Sequence, residues 1–352
     1  MTATTPQKIG IGMSGGVDST ATAILMQQQA EVYGFFMKLE QPGLEQQLER
    51  VSQISEKLKI QLEIIDLTKE FQKAVLNYFS NSYFKGLTPN PCVVCNREIK
   101  FGLFQRAILD RGVDVMATGH YAQIINQNGF SKLYKGVDPC KDQSYFLSRL
   151  SQQQLNKSSF PLGTMKKNDI YKLVEEHGFM DFRGQESQDV CFLEQDNVAD
   201  FLEQQPNFSD MSGNIVLSDG TVLSKHNGLH RYTVGQRKGL GISYHSPLYV
   251  IHLDVATNSV IVGTNEQLFR QELTVQDIHW LLPKAPQKLT NIEVRIRSTH
   301  KGARASFEML DNNQGRVLFE ESQRAITPGQ FAVFYKDKHL LGSGIILPDK
   351  SL

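Results

Sequence analysis

The chain has 352 residues, of which 40% are hydrophobic and 21% charged, and its formal net charge is zero. These are ordinary values for a globular protein of two or three domains. The neutral charge balance gives no overall support for nucleic-acid binding. The four cysteines are too few for a disulfide scaffold. No stretch approaches the roughly 20 apolar residues that span a bilayer.

The first eight residues, MTATTPQK, show neither an apolar signal-peptide core nor an Arg-rich pattern. The sequence therefore predicts no targeting segment and no membrane partner, and we expect a cytoplasmic protein. In that reducing compartment a cysteine is more often packed, catalytic or metal-bound than joined in a disulfide.

Apolar runs typical of strands alternate with helical patterns in the first half of the chain. The predicted strands are 8–13, 31–39, 61–67 and 113–121, and the predicted helices are 18–29, 43–60 and 96–111. The second helix is predicted from apolar residues at spacings of three and four, namely Leu44, Leu48, Val51, Ile54 and Leu58. This alternation predicts an α/β fold whose parallel sheet carries helices on both faces and binds its ligand at the carboxyl ends of the strands.

After about residue 206 the pattern changes to short alternating runs separated by Asp-Gly, Thr-Asn and Pro-Gly pairs. Such runs predict antiparallel strands and hairpins. We therefore expect three domains: an α/β domain over 1–206, a small β-rich central domain over 207–276 and a C-terminal β-barrel over 277–352.

The stretch IGMSGGVDSTATAI, residues 11–24, places glycines and serines between the first predicted strand and the first predicted helix. This position is typical of a phosphate-binding loop. Gly10, Gly12 and Gly15 fit the dinucleotide fingerprint G-x-G-x-x-G, but a single match is weak. A Walker loop needs G-K-[ST], and the stretch contains no lysine.

The third candidate is the loop S-G-G-x-D-S, here Ser14 to Ser19. Its glycines let backbone N–H groups approach a phosphate chain, its serine hydroxyls add donors, and the helix that begins near Asp18 adds a favourable dipole. A carboxylate beside phosphate is repulsive unless a divalent cation bridges the two groups, so Asp18 indicates Mg²⁺. The structural alternative is a plain glycine turn capped by Asp18 or Ser19. The loop resembles the PP-loop of ATP pyrophosphatases, which implies that ATP donates AMP to a substrate oxygen.

Three of the four cysteines lie in two stretches, LTPNPCVVCNREIKFG (87–102) and ESQDVCFL (186–193). A free cysteine is usually a small buried hydrophobe, and one C-x-x-C pair is a weak zinc signal. Cys95, however, falls at the start of the third predicted helix, where the dipole lowers a thiol pKa, and Arg97 and Lys100 add positive charge. A reactive cysteine pair in an ATP-using protein predicts sulfur transfer.

Six motifs follow one another in the order found in tRNA-specific 2-thiouridylases of the MnmA/TrmU type. They are GMSGGVDS, TPNPCVVCNREIKFG, ATGHYA, KDQSYFL, ESQDVCFL and GLHRYTVGQRKGLGI, and the resemblance covers nearly the whole chain. The resemblance implies an ATP-dependent enzyme that replaces the C2 oxygen of the wobble uridine of tRNA by sulfur and releases AMP and pyrophosphate.

The resemblance also implies a role for each matching residue. The expected ATP site comprises Gly12, Met13, Ser14, Gly15, Gly16, Val17, Asp18, Ser19, Met37 and Gly119. Cys191 is expected to carry a persulfide received from a relay protein or a cysteine desulfurase, and Cys95 to help release that sulfur and to pair with Cys191 as a disulfide. The residues expected to meet the target base are Asn90, Pro91 and Cys92. Contacts to tRNA are expected from His120, Lys141, Asp142, Gln143, Arg297, Ser298 and Gln330.

Several alternatives stay open at this point. Many members of the family carry aspartate at the position of Cys92, so Cys92, Cys95 and Cys191 are also possible ligands of a [4Fe–4S] cluster that would deliver sulfide. Asp142 could instead cap a helix formed by QSYFLSRL. Three other functions stay open. A PP-loop ligase or amidotransferase would not need Cys95 and Cys191, and a non-catalytic RNA-binding protein would bind tRNA without ATP turnover. A nicotinamide-dependent dehydrogenase is the third alternative.

Overall fold

The computed structural model describes residues 7–180, 182, 190–193, 197–206, 208–209, 211–310 and 313–349. Within these ranges the strands are β1 (Lys8–Gly12), β2 (Glu31–Lys38), β3 (Leu62–Asp66), β4 (Val115–Ala117), β5 (Ala122–Gln127), β6 (Phe130–Lys135), β7 (Ser158–Ser159), β8 (Gly213–Leu217), β9 (Val222–His226), β10 (Tyr249–Asp254), β11 (Ser259–Gly263), β12 (Phe269–Trp280), β13 (Lys288–Arg295), β14 (Ala303–Met309), β15 (Gln314–Arg324), β16 (Phe331–Lys336) and β17 (His339–Ile346).

The α-helices of the same ranges are α1 (Val17–Gln27), α2 (Leu44–Leu58), α3 (Thr68–Phe71), α4 (Asn77–Tyr83), α5 (Pro91–Cys95), α6 (Gln105–Leu109), α7 (Gln152–Asn156), α8 (Lys167–Glu176) and α9 (Val198–Glu203). π-Helical stretches at Gln72–Leu76 and Asn96–Phe104 join α3 to α4 and α5 to α6. Short 3-10 turns lie at Ser144–Leu147, Pro161–Thr164, Leu229–Arg231 and Glu266–Leu268. None of the described helices is both long enough and apolar enough to cross a membrane.

The first half of the chain forms a five-stranded parallel sheet with the order β3-β2-β1-β4-β7. Consecutive side chains of a strand point to opposite faces, so Phe35 and Phe36 of β2 enter two different hydrophobic cores. One core packs α1, α2 and α8 against the sheet, and the other packs the helical runs from α3 to α6 against the opposite face. The predicted parallel sheet with helices on both faces is confirmed.

The strand order reverses at β1, which has β2 on one side and β4 on the other. The carboxyl ends of β1 and β4 therefore lie side by side, where open α/β sheets bind their ligands. Strand β4 ends at Ala117, whereas the sequence predicted strand up to residue 121. The chain turns away at Gly119, which packs so closely on Asp18 that an added Cβ would lie 2.8 Å from the Asp18 carbonyl carbon.

The middle part of the chain forms a four-stranded sheet with the order β10-β11-β8-β9. The hairpins β8–β9 and β10–β11 are antiparallel as predicted, but β8 and β11 pair in parallel, with Ser259 opposite Asn214 and Val262 opposite Leu217. The antiparallel prediction is wrong for this one pair, because the two hairpins join through strands that run in the same direction.

Beyond residue 268 an antiparallel sheet in the order β12-β15-β14-β13-β16-β17 closes on itself, because β12 also pairs with β17. Its interior packs Trp280 against Phe307 and Phe334, with ring centroids 5.2 and 5.6 Å apart. The predicted C-terminal β-barrel is confirmed. The hairpin β5–β6 from the first half of the chain extends this sheet, since Tyr134 of β6 lies opposite His339 of β17.

A cluster of charged side chains joins the first half of the chain to the barrel. Asp142 Oδ2 lies 2.8 Å from Arg295 Nη1, and these side chains are 2% and 14% exposed. Lys135 Nζ lies 2.7 Å from Glu293 Oε1, and both cations face the buried ring of Tyr335 at 4.4 and 5.1 Å from its centroid. Pairing of this kind is required at a buried interface, because an unpaired charge there costs several kcal/mol.

Arg295→Met is expected to destabilise the protein by about 3–5 kcal/mol, because it leaves the buried Asp142 carboxylate unpaired. Unfolding in urea measures the change, with the fluorescence of Trp280, the single tryptophan of the chain, reporting on the barrel. Arg316→Met is the matched control: Arg316 lies 3.1 Å from Glu308, but the two side chains are 51% and 47% exposed. We expect this control to lose less than about 1 kcal/mol, and equal losses in the two variants would contradict the prediction.

Candidate active site

The loop between β1 and α1 folds around its own serine hydroxyls. Ser19 Oγ accepts a hydrogen bond from Ser14 N at 3.2 Å and donates one to Gly16 O at 3.0 Å. Gly15 has a φ of +80°, a conformation that favours glycine. The N-cap of α1 is Gly16, and no side chain caps this helix, so the alternative of a turn capped by a side chain is wrong. An uncapped helix N-terminus behind a glycine turn is suited to bind an anion.

The carboxylate of Asp18 is held from two sides. Lys167 Nζ lies 2.8 and 2.9 Å from its two oxygens, and Tyr121 OH donates to Asp18 Oδ1 at 2.6 Å. The lysine ammonium also lies 5.5 and 5.3 Å from the ring centroids of Tyr121 and Tyr171. Burial and the neighbouring carboxylate raise the pKa of Tyr121, so its hydroxyl stays protonated and remains a donor. The predicted Mg²⁺ ligand thus forms an ion pair with a lysine that no sequence pattern singled out.

The other predicted nucleotide-site residues lie at the same edge of the sheet. Met37 is the second-last residue of β2 and pairs with Ile65 of β3. Gly12 ends β1, where an added Cβ would lie 3.3 Å from a Thr118 methyl group. With Gly119 packed on Asp18, the structure brings residues 12–19, 37 and 119 together at the carboxyl ends of β1, β2 and β4.

The loop that precedes Cys92 is clamped by the barrel. Thr88 N donates to Pro328 O at 2.9 Å, and Gln330 Nε2 donates to the carbonyl oxygens of Thr88 and Pro89 at 2.9 and 3.3 Å. Gln330 therefore uses its amide inside the protein to fix this loop. The residues predicted to meet the target base follow directly after it, namely Asn90, Pro91 and Cys92.

The helix that carries the C-x-x-C pair begins earlier than predicted. Asn90 Oδ1 accepts a hydrogen bond from Val93 N at 3.2 Å, and Pro91 occupies the first turn, so the helical run starts at Pro91 and not at residue 96. Cys95 is the last residue of α5, and the helical run continues into the π-helical stretch. The thiol therefore lies beyond the first turn, in which the helix dipole favours a negative charge.

The expectation of a lowered thiol pKa at Cys95 is wrong. Burial raises the pKa of Cys95 to about 12, against an opposing effect of the Lys100 cation, and Cys191 and Cys92 raise it further. The surrounding protein also raises the pKa of the Cys191 thiol, and Lys100 again acts in the opposite direction. Cys95 packs against the same hydrophobic core as Phe192, the residue that follows Cys191, so the two cysteine motifs meet at one core. All four cysteines of the chain are free thiols in this structure.

Cys191 is exposed, but the residue after it is anchored in the core. The Phe192 ring packs edge-on against Phe71 and Phe79, with centroids 5.9 and 5.2 Å apart, and lies 5.1 Å from Phe201. This aromatic cluster fixes the chain beside Cys191 while that residue stays open to solvent. Residues 186–189 of the same motif lie outside the described residues.

All seven residues predicted to contact tRNA are partly exposed, namely His120, Lys141, Asp142, Gln143, Arg297, Ser298 and Gln330. His120 is half-buried, with Nδ1 2.8 Å from Thr118 Oγ1 and its ring 5.4 and 5.6 Å from the ring centroids of Phe101 and Phe160. Burial, together with the Lys100 cation, holds the pKa of His120 well below its usual value, so this imidazole is neutral near pH 7.

Asp142 and Gln143 turn their side chains into the protein. Gln143 Oε1 accepts a hydrogen bond from Tyr121 N at 3.1 Å, and Gln143 N donates to Tyr121 O at 2.9 Å. Asp142 pairs with Arg295, and its Oδ1 accepts from Ser144 N at 3.2 Å, at the start of a 3-10 turn. The N-cap of this turn is Gln143 and no side chain caps it, so the alternative of Asp142 as a helix cap is wrong.

Within the described ranges, no group of three or more His, Cys, Asp or Glu side chains is arranged to hold a metal ion. Cys92, Cys95 and Cys191 are among these described residues.

Family models match the chain in three consecutive parts. The model described as tRNA methyl transferase HUP domain matches residues 7–195, the tRNA methyl transferase PRC-barrel domain matches 199–264, and the aminomethyltransferase beta-barrel domain matches 270–346. A tRNA-specific 2-thiouridylase MnmA of Desulfotalea psychrophila is 67% identical over 338 residues, which cover 96% of this chain and 98% of the relative. The chain belongs to the tRNA-specific 2-thiouridylase family.

Two further proteins of this name support the assignment. Those of Trichlorobacter lovleyi and Syntrophomonas wolfei are 42% and 39% identical to this chain, cover 96% of it, and are themselves matched over 97% and 99% of their lengths. The resemblance drawn from the six sequence motifs is thus confirmed at the level of the family.

Sequence reasoning on this thiouridylase-family chain missed Lys167 and Tyr121. Lys167 is 149 positions away from Asp18, and no periodicity or motif connects the two residues. Tyr121 lies in the ATGHYA motif without a role predicted for its hydroxyl. One weak signal was available, because lysines at 166 and 167 open a helix, where the dipole disfavours a cation.

Lys100→Gln is expected to slow the alkylation of Cys95 by iodoacetamide about threefold or more at pH 8, because loss of the cation raises the thiol pKa further and lowers the thiolate fraction. Peptide-resolved mass spectrometry measures the rate at each cysteine. In the wild-type protein the alkylation rate of Cys95 is expected to rise about tenfold per pH unit until the pH reaches the thiol pKa of about 12.

Lys85→Gln serves as the control for this measurement, because Lys85 is an exposed lysine upstream of the same segment. It should leave the Cys95 rate unchanged. A Cys95 rate that is the same in both variants would show that Lys100 does not act on this thiol.

Proposed function

We propose that this protein is a tRNA-uridine 2-sulfurtransferase that thiolates the wobble uridine of tRNA at C2 with ATP. The C2 oxygen attacks the α-phosphorus of ATP, so that AMP is joined to the oxygen and pyrophosphate leaves. Sulfur carried as a persulfide on Cys191 then replaces the adenylated oxygen, and AMP departs. Family membership supports the reaction class, and the arrangement of the site supports the individual roles.

One observation carries this proposal: a chain that is 67% identical over 338 residues to a tRNA-specific 2-thiouridylase holds both the S-G-G-x-D-S loop and the cysteines Cys95 and Cys191. A ligase that adenylates a carboxylate needs the loop but not the thiol pair. The barrel, through Gln330, fixes the segment that leads into Cys92. These features together favour a reaction in which ATP activates an RNA base for attack by sulfur.

The loop geometry supports ATP as the activating substrate. The left-handed Gly15 and the uncapped start of α1 provide an anion site, and residues 12–19, 37 and 119 line one edge of the sheet. The Asp18 carboxylate is a hard oxygen donor of the type that Mg²⁺ prefers. A Mg²⁺ ion held there would neutralise phosphate charge beside this carboxylate.

The sulfur transfer can be written with all bonds accounted for. The terminal persulfide sulfur on Cys191 attacks C2, and the C2–O bond breaks as AMP leaves with its electron pair. Cys95 thiolate then attacks Cys191 Sγ and breaks the S–S bond, so the sulfur stays on C2 as the thiocarbonyl. This leaves a Cys95–Cys191 disulfide, which a thiol reductant must reopen before the next cycle.

The tRNA substrate accounts for the surface around the site. Lys141, Arg297 and Ser298 would face the RNA, while Asp142, Gln143, His120 and Gln330 would shape that surface from inside. The target uridine has to leave the anticodon stack in order to reach residues 90–92. The exposed Cys191 is accessible to a persulfide donor, a relay protein or a cysteine desulfurase. Such a substrate places the proposed reaction in the cytoplasm.

A [4Fe–4S] cluster on Cys92, Cys95 and Cys191 is the alternative sulfur carrier. Cys92 distinguishes the two routes, because a cluster needs it as a ligand and the persulfide chemistry does not use it.

Anaerobically purified protein, supplied with tRNA, ATP and a cysteine desulfurase with cysteine, is expected to produce 2-thiouridine and AMP. Mass spectrometry of the digested tRNA measures the product. Cys95→Ser and Cys191→Ser are each expected to lower the rate by roughly a thousandfold or more, because each removes a group that forms a covalent bond. Cys92→Ala and Cys140→Ser should stay within about threefold of the unchanged protein; Cys140 is exposed and has no role in the proposal.

Iron analysis of the same preparations completes the test. About four irons per chain, lost together with activity in Cys92→Ala, would replace the persulfide route by the cluster route. Adenylation of a carboxylic acid in place of tRNA would instead indicate a ligase. Tight tRNA binding without any AMP formation would indicate a non-catalytic RNA-binding protein.

A further inference from the structure

The Lys167–Asp18 ion pair lies next to the site proposed for the phosphates of ATP. Asp18 is the second residue of α1, and its neighbour Ser19 makes the hydrogen bonds that close the loop. The loop itself supplies no cation, since neither lysine nor arginine occurs between Lys8 and Lys38. A triphosphate bound beside a carboxylate therefore needs positive charge from another part of the chain.

The position of Lys167 is not explained by stability alone. Its side chain is only 10% exposed, and a buried ion pair is weak evidence for stabilisation, because desolvation offsets the Coulomb attraction. Lys167 is also the first residue of α8, where the helix dipole disfavours a cation. A paired, buried cation at a helix N-terminus beside a ligand site is expected to serve the ligand.

We propose that Lys167 is a phosphate-binding residue of the adenylation step. When Mg²⁺ and ATP bind, Lys167 leaves the Asp18 carboxylate to the cation, contacts the β- and γ-phosphates and stabilises the negative charge on the departing pyrophosphate. This inference rests on the proposed ATP-dependent function. A lysine located 149 positions from Asp18 along the chain would then replace the lysine that a Walker loop carries within itself.

The surroundings of Lys167 suit such an exchange of partners. Its ammonium is a compact charge on a flexible four-carbon side chain, so rotation about side-chain bonds moves it without backbone change. Tyr121 OH donates to Asp18 at 2.6 Å independently of the lysine and would keep the carboxylate oriented after the lysine moves. Arg50 is a competing source of charge, because its side-chain stem would lie 3.6 Å from a Cβ placed on Gly15.

Nucleotide affinities test the proposal without relying on turnover. Isothermal titration calorimetry with Mg²⁺ compares ATP and AMP on the unchanged protein, Lys167→Met and the control Lys166→Met, whose lysine is the exposed neighbour. Lys167→Met is expected to weaken ATP binding about tenfold or more, since a charge-assisted contact to the phosphates is lost. AMP lacks the β- and γ-phosphates, so its affinity should stay within about twofold. Lys166→Met should leave both affinities unchanged.

The proposal is overturned if Lys167→Met lowers the affinities for ATP and AMP equally, or lowers neither. Lys167 would then be only a structural partner of Asp18. A selective loss of ATP affinity in Arg50→Met, but not in Lys167→Met, would also overturn it. If Lys167→Met does not fold, Lys167→Gln provides the same comparison, because it keeps a donor for Asp18 and removes only the charge. If the wild-type protein binds neither ATP nor AMP, the ATP-dependent function itself is overturned. That result differs from a Lys167→Met variant that keeps the wild-type preference between the two nucleotides.

Discussion

The close packing of Gly119 on Asp18 determines how the central part of the molecule is arranged. A Cβ at position 119 would lie 2.8 Å from the Asp18 carbonyl carbon, so only glycine lets the turn after β4 approach the start of α1 this closely. Two residues later Tyr121 directs its hydroxyl to the Asp18 carboxylate, and Lys167 reaches the same carboxylate from α8. Three segments that are distant in sequence thus converge on one side chain beside the phosphate-binding loop.

This convergence is linked to the barrel through hydrogen bonds and one ion pair. Gln143 holds both the N–H and the carbonyl group of Tyr121, and the preceding residue, Asp142, pairs with Arg295 of the barrel. A second connection runs from Gln330 to the loop that precedes Cys92. The nucleotide loop and the cysteine loop are therefore both fixed by contacts that reach the barrel. The orientation of the barrel and the geometry of the two loops are not independent of each other.

The parts of the fold that depend on local sequence were predictable. The spacing of Leu44, Leu48, Val51, Ile54 and Leu58 predicted helix α2 and its packed face, because a helix of period 3.6 brings them to one side. The ordered motifs likewise identified the loop, the cysteines and the family. The Lys167–Asp18 pair could not be predicted, since it depends on tertiary packing between residues 149 positions apart. The parallel pairing of β8 with β11 was missed for the same reason, because each hairpin alone is antiparallel.

The raised pKa of Cys95, where the sequence predicted a lowered one, helps to explain why the proposed chemistry needs two different cysteines. Burial raises the pKa of Cys95 to about 12, so its thiol is protonated near pH 7. Attack on a persulfide requires a thiolate, so a protonated Cys95 is slow to attack Cys191 Sγ and to release the outer sulfur before that sulfur is joined to C2. A persulfide has a lower pKa than a thiol, and its carrier has to meet a protein donor, which fits the exposed Cys191. Cys95 is half-buried, and the Lys100 cation opposes the rise of its pKa, which favours the thiolate that attacks Cys191 Sγ in the second step.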